Sequence, residues 1–482
     1  MAEKSIKRNA VMNVIRTISS MIFPLITFPY VSRILGPEGT GKVSFATSFV
    51  SYFIMLASIG IPLYGIREIA RVRANKELLN ATAQELFVMN FIVSVVVFLC
   101  FIGLIFVNGK LHDEKTLFFI VSFSIILTSI GMDWLYQGLE EYTYITVRSM
   151  VFSALSVIAI FIFIHHKENY IIYGAIGVFA SLGSSVLNFY KARKIIFAKR
   201  VIPWNFKRHI KPLLVVYIMS FIISIYVQLD TVMLGFMSTA KNVGYYASAL
   251  KLTKMLLALV TSIGTVLLPR LSFYAASNRR SEFDEMIQKS FAVIILLCLP
   301  MVAALMMLSK DIIVVLAGVQ YLPAVSCMVI TAPIILFIGL TNIFGIQILY
   351  PLGKDKQVVV SVAFGALISF GLNLLLIPRL AHVGAAIATL IAELGVLIIQ
   401  IVMITKVHPI KMPIRNYFKY IIATFGLVIL LFGIKMVFTH LWIQLAMAIP
   451  MGILLYFGML ILMKESLVGE ITTKLKERFI HV

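Results

Sequence analysis

Acid is what this chain is short of. Its 482 residues hold 21 Asp and Glu against 42 Lys and Arg, a formal charge of +21. Cysteine is scarcer still: Cys100, Cys298 and Cys327 complete the set of three. All three lie in or beside apolar runs without metal spacing, so they are expected to be buried packing residues. The histidines, among them His165, His166, His209 and His382, fall in turns or in a basic segment, again without metal spacing. No phosphate-cradling loop and no soluble stretch for nucleotide hydrolysis is present. These absences speak against an enzyme, a bound metal and a cofactor. They leave an ion gradient, of protons or sodium, or the substrate's own gradient as the source of any work.

What is abundant is apolar side chain, 60% of the chain. The expected fold is an all-α polytopic membrane protein. A β-barrel would instead show alternating segments of roughly 10 residues. Fourteen spans are expected, at about 11–34, 42–63, 85–107, 116–137, 143–164, 170–190, 212–235, 243–267, 290–308, 325–350, 357–377, 383–404, 417–438 and 441–463. The opening MAEKSIKR is expected to carry no cleavable signal, because a membrane hairpin and not a cleavage site follows the first apolar run.

The most basic stretch is Lys191 to Lys211, with Lys191, Arg193, Lys194, Lys199, Arg200, Lys207, Arg208 and Lys211 and no acid. Such runs stay on the cytoplasmic side. With the N-terminus inside, the other basic clusters also fall inside: Lys4, Lys7 and Arg8; Arg67, Arg71, Arg73 and Lys76; Lys406, Lys411, Arg415 and Lys419; Lys464, Lys474, Lys476 and Arg478. Both termini are then cytoplasmic. The excess of base is the loop bias of a membrane protein and implies no nucleic acid. The run also divides the chain into an N-lobe at 1–190, a linker at 191–211, a C-lobe at 212–404, and two further helices with a tail at 405–482.

The lobes echo each other. Gly41, Ser44, Ser48, Ser51 and Ser58 share one helical face. Gly244, Ala247, Lys251, Lys254 and Thr261 repeat that spacing in the second lobe. Each copy follows a polar-striped helix, Asn13, Arg16, Ser20 and Thr27 in one and Tyr217, Ser220, Ser224, Gln228 and Thr231 in the other. Small-residue stripes also serve helix packing. The lysines favour a wet cavity in the second copy. This reads as a parallel six-helix repeat, a transporter arrangement.

A few charges lie within spans. Asp133 and Arg148 flank one short turn at matching depth, so a structural ion pair is expected; Asp230 and Lys251 flank another in the same manner. Arg33 and Lys435 sit near helix ends and can snorkel. Glu393 sits mid-helix, where a carboxylate is rare and faces an interior. It either titrates in ion coupling or neutralises a cavity lysine.

Four motifs carry a resemblance. They are Asp133-Trp134-Leu135-Tyr136-Gln137-Gly138-Leu139-Glu140-Glu141-Tyr142, Gln347-Ile348-Leu349-Tyr350-Pro351-Leu352-Gly353-Lys354, Arg33-Ile34-Leu35-Gly36-Pro37-Glu38-Gly39-Thr40-Gly41 and Val383-Gly384-Ala385-Ala386-Ile387-Ala388-Thr389. Together they resemble the polysaccharide-transporter branch of the multidrug/oligosaccharidyl-lipid/polysaccharide exporter superfamily, and within it the Wzx-type flippases of O-antigen and capsule repeat units. The resemblance implies two six-helix lobes in a V plus two extra helices, in a bacterial cytoplasmic (inner) membrane. It implies alternating access that moves undecaprenyl-pyrophosphate oligosaccharide from the inner to the outer leaflet. Membrane lipids, a polysaccharide polymerase and a chain-length regulator are the implied partners. A cationic cavity is also implied, at which Arg16, Lys251 and Lys254 would sit, with Ser48, Ser51 and Gln228 lining the sugar path. The alternatives are a multidrug exporter or lipid II flippase of the same fold, and a membrane polymerase. An exporter of cations would want acids where this chain has bases. A polymerase would want a sizeable outer loop.

Overall fold

The computed structural model describes residues 6–408 and 414–469. Lys4, Lys411, Lys474, Lys476 and Arg478 lie outside the described residues, as do the side chains of Lys7, Arg8, Asn13, Ser20 and Arg415. Among the described residues every regular element is helical, and twelve stretches are long and apolar enough to cross a membrane. Two of these, Ile22–Val72 and Asp355–Val407, span 51 and 53 residues. A straight helix of that length would reach roughly 75–80 Å, over twice the ~30 Å hydrocarbon core. Both are broken, one at Gly36 (φ 66°) and the other at Ala381 (φ 48°). Each therefore holds two passes, and the described residues then hold the expected fourteen. The left-handed φ at Gly36 is one that glycine alone adopts without strain. Pro37 follows it and cannot donate back to the preceding turn.

The chain forms two compact units, Met1–Gly244 and Tyr245–Val482. The first begins with α1 (Ile6–Ser58), α2 (Ile61–Val72), α3 (Lys76–Val107) and the short α4 (Gly109–Asp113). It continues with α5 (Lys115–Gly131), α6 (Asp133–Gly138), α7 (Tyr142–Phe163), α8 (Tyr170–Leu182), α9 (Ser185–Ile196) and α10 (Lys207–Met237). Local chemistry sets the boundaries. Asn75 caps α3 by accepting from the amides of Glu77 and Leu78 at 3.0 and 3.1 Å. Met132, at φ 43°, separates α5 from α6.

Helix α10 groups with the first unit and is fixed to it along its length. The Tyr52 hydroxyl donates to the Ile225 carbonyl at 3.1 Å. The Phe236 ring meets Phe45 and Phe49 edge-on, at 5.1 Å from each. Lys110 donates to the carbonyls of Gly235, Phe236 and Ser238 at 3.3, 2.6 and 3.2 Å, capping the negative end of the helix.

The second unit holds α11 (Ala240–Ala276) from Tyr245 onward, α12 (Arg280–Met307), α13 (Ser309–Leu316), α14 (Ala324–Thr331) and α15 (Ile334–Asn342). A π-helical turn at Ile343–Leu349 precedes α16 (Asp355–Val407), α17 (Ile414–Val437) and α18 (Leu441–Leu462). The last two pack on each other, and α17 also packs on α12. The Tyr456 hydroxyl of α18 donates to the Leu296 carbonyl of α12 at 2.9 Å. Lys435 does not merely snorkel: it pairs with the buried Asp311 at 2.9 Å. Cys298 and Cys327 are buried as expected, whereas Cys100 is exposed. Its neighbour Leu99 is 62% exposed, so this stretch of α3 turns an apolar face outward. In a membrane chain the outward face is as apolar as the core, and hydropathy cannot tell one from the other.

Candidate functional site

In the first unit Asp133 gathers two cations. Arg16 of α1 donates to its Oδ2 at 2.9 Å, and Arg148 of α7 donates to its Oδ1 at 3.0 Å. The Asn188 amide of α9 donates to the same Oδ1 at 3.0 Å and to the Gly131 carbonyl at 2.5 Å. Thr146 donates to the Met12 carbonyl at 3.0 Å, docking the start of α1 on α7. The expected Asp133–Arg148 pair is therefore one edge of a larger cluster, and Arg16 supplies the other edge. Two guanidiniums on one carboxylate leave a net positive charge. Arg148 is only 8% exposed, and its Nε and Nη1 are buried without an acceptor among the described residues. Spare guanidinium donors beside a second arginine suit a carboxylate or phosphate group.

The adjoining turn is held from both sides. Arg73 reaches Glu140 at 2.5 Å, and Lys191 pairs with Glu141 while stacking on the Tyr144 ring at 3.8 Å.

A second cluster was not singled out by sequence reasoning. Glu85 of α3 is fully buried. Arg200 pairs with its Oε1, and Arg208 pairs with its Oε2 at 2.6 Å. The Asn205 amide donates to Oε1 at 2.8 Å, and His209 Nε2 lies 3.0 Å from Oε2. The other ring nitrogen of His209 lies 2.8 Å from the Tyr64 hydroxyl. The basic linker is thus folded onto α3 by two of its own arginines. The available signal was an acid at the head of an apolar run, in a chain poor in acid, opposite eight bases that lack a partner in sequence.

The small-residue stripes resolve into two roles. Ser51 donates to the Ser48 carbonyl at 2.6 Å and Ser44 to the Thr40 carbonyl at 2.7 Å, so these hydroxyls are used within α1. Ser48 and Ser51 are half-buried. Gly41 and Gly244 bring two backbones together: a Cβ on Gly41 would lie 1.8 Å from the Ala240 carbonyl oxygen, and one on Gly244 would lie 1.9 Å from that of Pro37. At these two positions the stripe serves helix packing.

On α10, Gln228 is half-buried and Asp230 is buried. In the second unit, Lys251 is half-buried and Lys254 exposed on α11. Thr253, between them in sequence, instead faces α14, 3.3 Å from the Thr331 hydroxyl. Glu393 is half-buried on α16, one turn beyond Thr389, whose hydroxyl lies 2.9 Å from that of Tyr246. Sequence reasoning also passed over a buried polar seam in this unit. Gln400 donates to Ser361 at 3.0 Å, and Gln347 of the π-helical turn donates to Asn342 at 3.4 Å. Gln347, Ser361 and Gln400 are at most 2% exposed. No group of three or more His, Cys, Asp or Glu able to hold a metal ion occurs among the described residues.

A family model described as "Polysaccharide biosynthesis protein" matches residues 6–274. The chain is 26% identical over 401 residues to a "Putative O-antigen transporter" of Escherichia coli (strain K12), covering 81% of this chain and 94% of that protein. It is 22% identical to a "Probable low-salt glycan biosynthesis flippase Agl15" of Haloferax volcanii, over 48% of this chain and 49% of that one. Among solved structures it superposes on a lipid II flippase MurJ in an inward closed conformation. The TM-score is 0.76 at 16% identity, over 95% of this chain and 100% of that one, which establishes a shared fold.

Proposed function

Because the chain belongs to the polysaccharide biosynthesis protein family, we propose that it is a flippase for lipid-linked oligosaccharide. The finer reading is an undecaprenyl-pyrophosphate-linked repeat unit, passed from the inner to the outer leaflet of a bacterial cytoplasmic membrane by alternating access. A polymerase and a chain-length regulator would act on what it delivers.

The observation that carries the reading is the Arg16–Asp133–Arg148 cluster. It is a net-positive group with one buried guanidinium, that of Arg148, near the ends of membrane-crossing helices. A pyrophosphate-sugar head cannot enter hydrocarbon without losing the water around its charge and hydroxyls. Paired guanidiniums replace that water at the phosphates. Asp133 keeps the arginines from holding the anion too tightly, as release on the far side requires. Lys251 and Lys254 are the proposed counterparts in the second unit. Ser48, Ser51 and Gln228 are proposed to meet sugar hydroxyls, and Glu393 to act in ion coupling or to balance a lysine. An exporter of cationic drugs would need the opposite sign of charge at these positions.

Loss of the protein followed by mass analysis of accumulated lipid-linked material tests the reading. A pyrophosphate-linked oligosaccharide without peptide is expected. Accumulation of a peptide-bearing precursor would instead make it a lipid II flippase, and no accumulation at all would reject a flippase of either kind. The double variant Lys251→Ala/Lys254→Ala should abolish surface polymer at unchanged protein level. Normal polymer in that variant would remove both lysines from the path.

A further inference from the structure

The basic run Lys191–Lys211, which extends from the end of α9 across the connecting loop into α10, leaves most of its positive charge without an ion pair. Arg200 and Arg208 are spent on Glu85, and Lys191 on Glu141. Arg193, Lys194, Lys199, Lys207 and Lys211 are exposed, and none is ion-paired among the described residues. Between these bases stand large apolar side chains turned outward: Phe197 is 71% exposed, Val201 68% and Trp204 50%. Trp204 is held in that position. The Arg200 guanidinium stacks on its ring at 3.8 Å, and the Phe206 ring stacks 5.1 Å away at 21°. The arginine that anchors the linker to a buried carboxylate thus also presents the tryptophan.

A loop facing only water gains nothing from three such neighbours. This loop joins two membrane-crossing helices, so it lies at a bilayer surface. Cations interleaved with aromatic and aliphatic tips match the two layers of that surface: phosphates outermost, the acyl boundary beneath.

We propose that residues 193–211 form a docking surface for anionic phospholipid, with Phe197, Val201 and Trp204 entering the headgroup–acyl boundary and the five unpaired bases binding lipid phosphate. The Glu85 cluster preorganises this surface, so binding need not order the loop. The proposal requires only that the chain spans a membrane, and does not depend on what it transports.

The test uses the full-length protein in vesicles of about one part phosphatidylglycerol to four parts phosphatidylcholine, with bromine on the chains of one lipid or the other at equal content. Subtracting the fluorescence of Trp204→Phe isolates Trp204 from Trp134 and Trp442. Its quenching should be roughly twofold or more stronger by brominated phosphatidylglycerol. Replacing the five bases with Gln should bring that ratio to about one, and a version that exchanges Lys and Arg should restore it. Equal quenching by both lipids in the parent protein would overturn the proposal. So would absence of quenching, which would mean that the face is turned to water or to another protein.

Discussion

Replacing Glu85 by Gln would leave Arg200 and Arg208 against a side chain that can neutralise neither. Removing one member of a buried ionic group costs ~3–5 kcal/mol, and the partial exposure of Arg208 brings the expectation to the lower end of that range. The detergent-solubilised variant should unfold at a lower temperature, and trypsin should cut near Lys199 and Arg200 sooner than in the parent. An unchanged melt and cutting rate would show that the cluster is dispensable. Asp133 invites a different experiment, because its loss strands a buried arginine. Asp133→Asn should lower protein stability by ~1–3 kcal/mol, and Asp133→Asn/Arg148→Gln should recover part of that loss. Additive losses would mean that the pair is not coupled. The sequence disclosed Asp133 and Arg148 because they flank one turn. It pointed to Arg16 as a cation but could not disclose its pairing with Asp133, 117 residues away. No local spacing records such a partner.

At the level of the helix, periodicity and breakers did most of the work. Gly36 before Pro37 marked the first hairpin, and the motif opening at Val383 follows the break at Ala381. The stripe that repeats Gly41 at Gly244 was legible as a pattern but not as a purpose, because small residues suit both close packing and a wet face. The backbone separations assign the glycines to packing. Gly41→Leu should therefore cost about 4 kcal/mol or more and abolish the monodisperse peak in size-exclusion chromatography. Gly103→Ala is the control: nothing lies within 4 Å of its Cβ position. Helix propensity should make that change neutral, or stabilising by up to about 1 kcal/mol. A well-behaved Gly41→Leu protein would mean that the two helices do not need this approach. The buried amides of Gln347 and Gln400 illustrate the converse limit. In a chain this apolar a glutamine inside a span stands out by type, but its partner depends on how the π-helical turn aims it.

Across the whole molecule, the count of fourteen crossings follows from length and hydropathy, since a ~30 Å slab admits little freedom. What escaped the sequence is attachment. The basic run reads as a tether because it is polar, short of acid and placed between apolar segments. Folded, it is fastened twice to a single carboxylate, by Arg200 from upstream and by Arg208 and His209 from downstream. A cut between Val201 and Trp204 would leave both new ends on Glu85. Beyond it, α10 would stay clasped by Tyr52 and Lys110. A protease site placed there should give two fragments that co-purify at neutral pH and separate only on denaturation. Chain continuity at this point is then redundant for assembly: one glutamate splices what the peptide bond also joins, and the two pieces could be made as separate polypeptides.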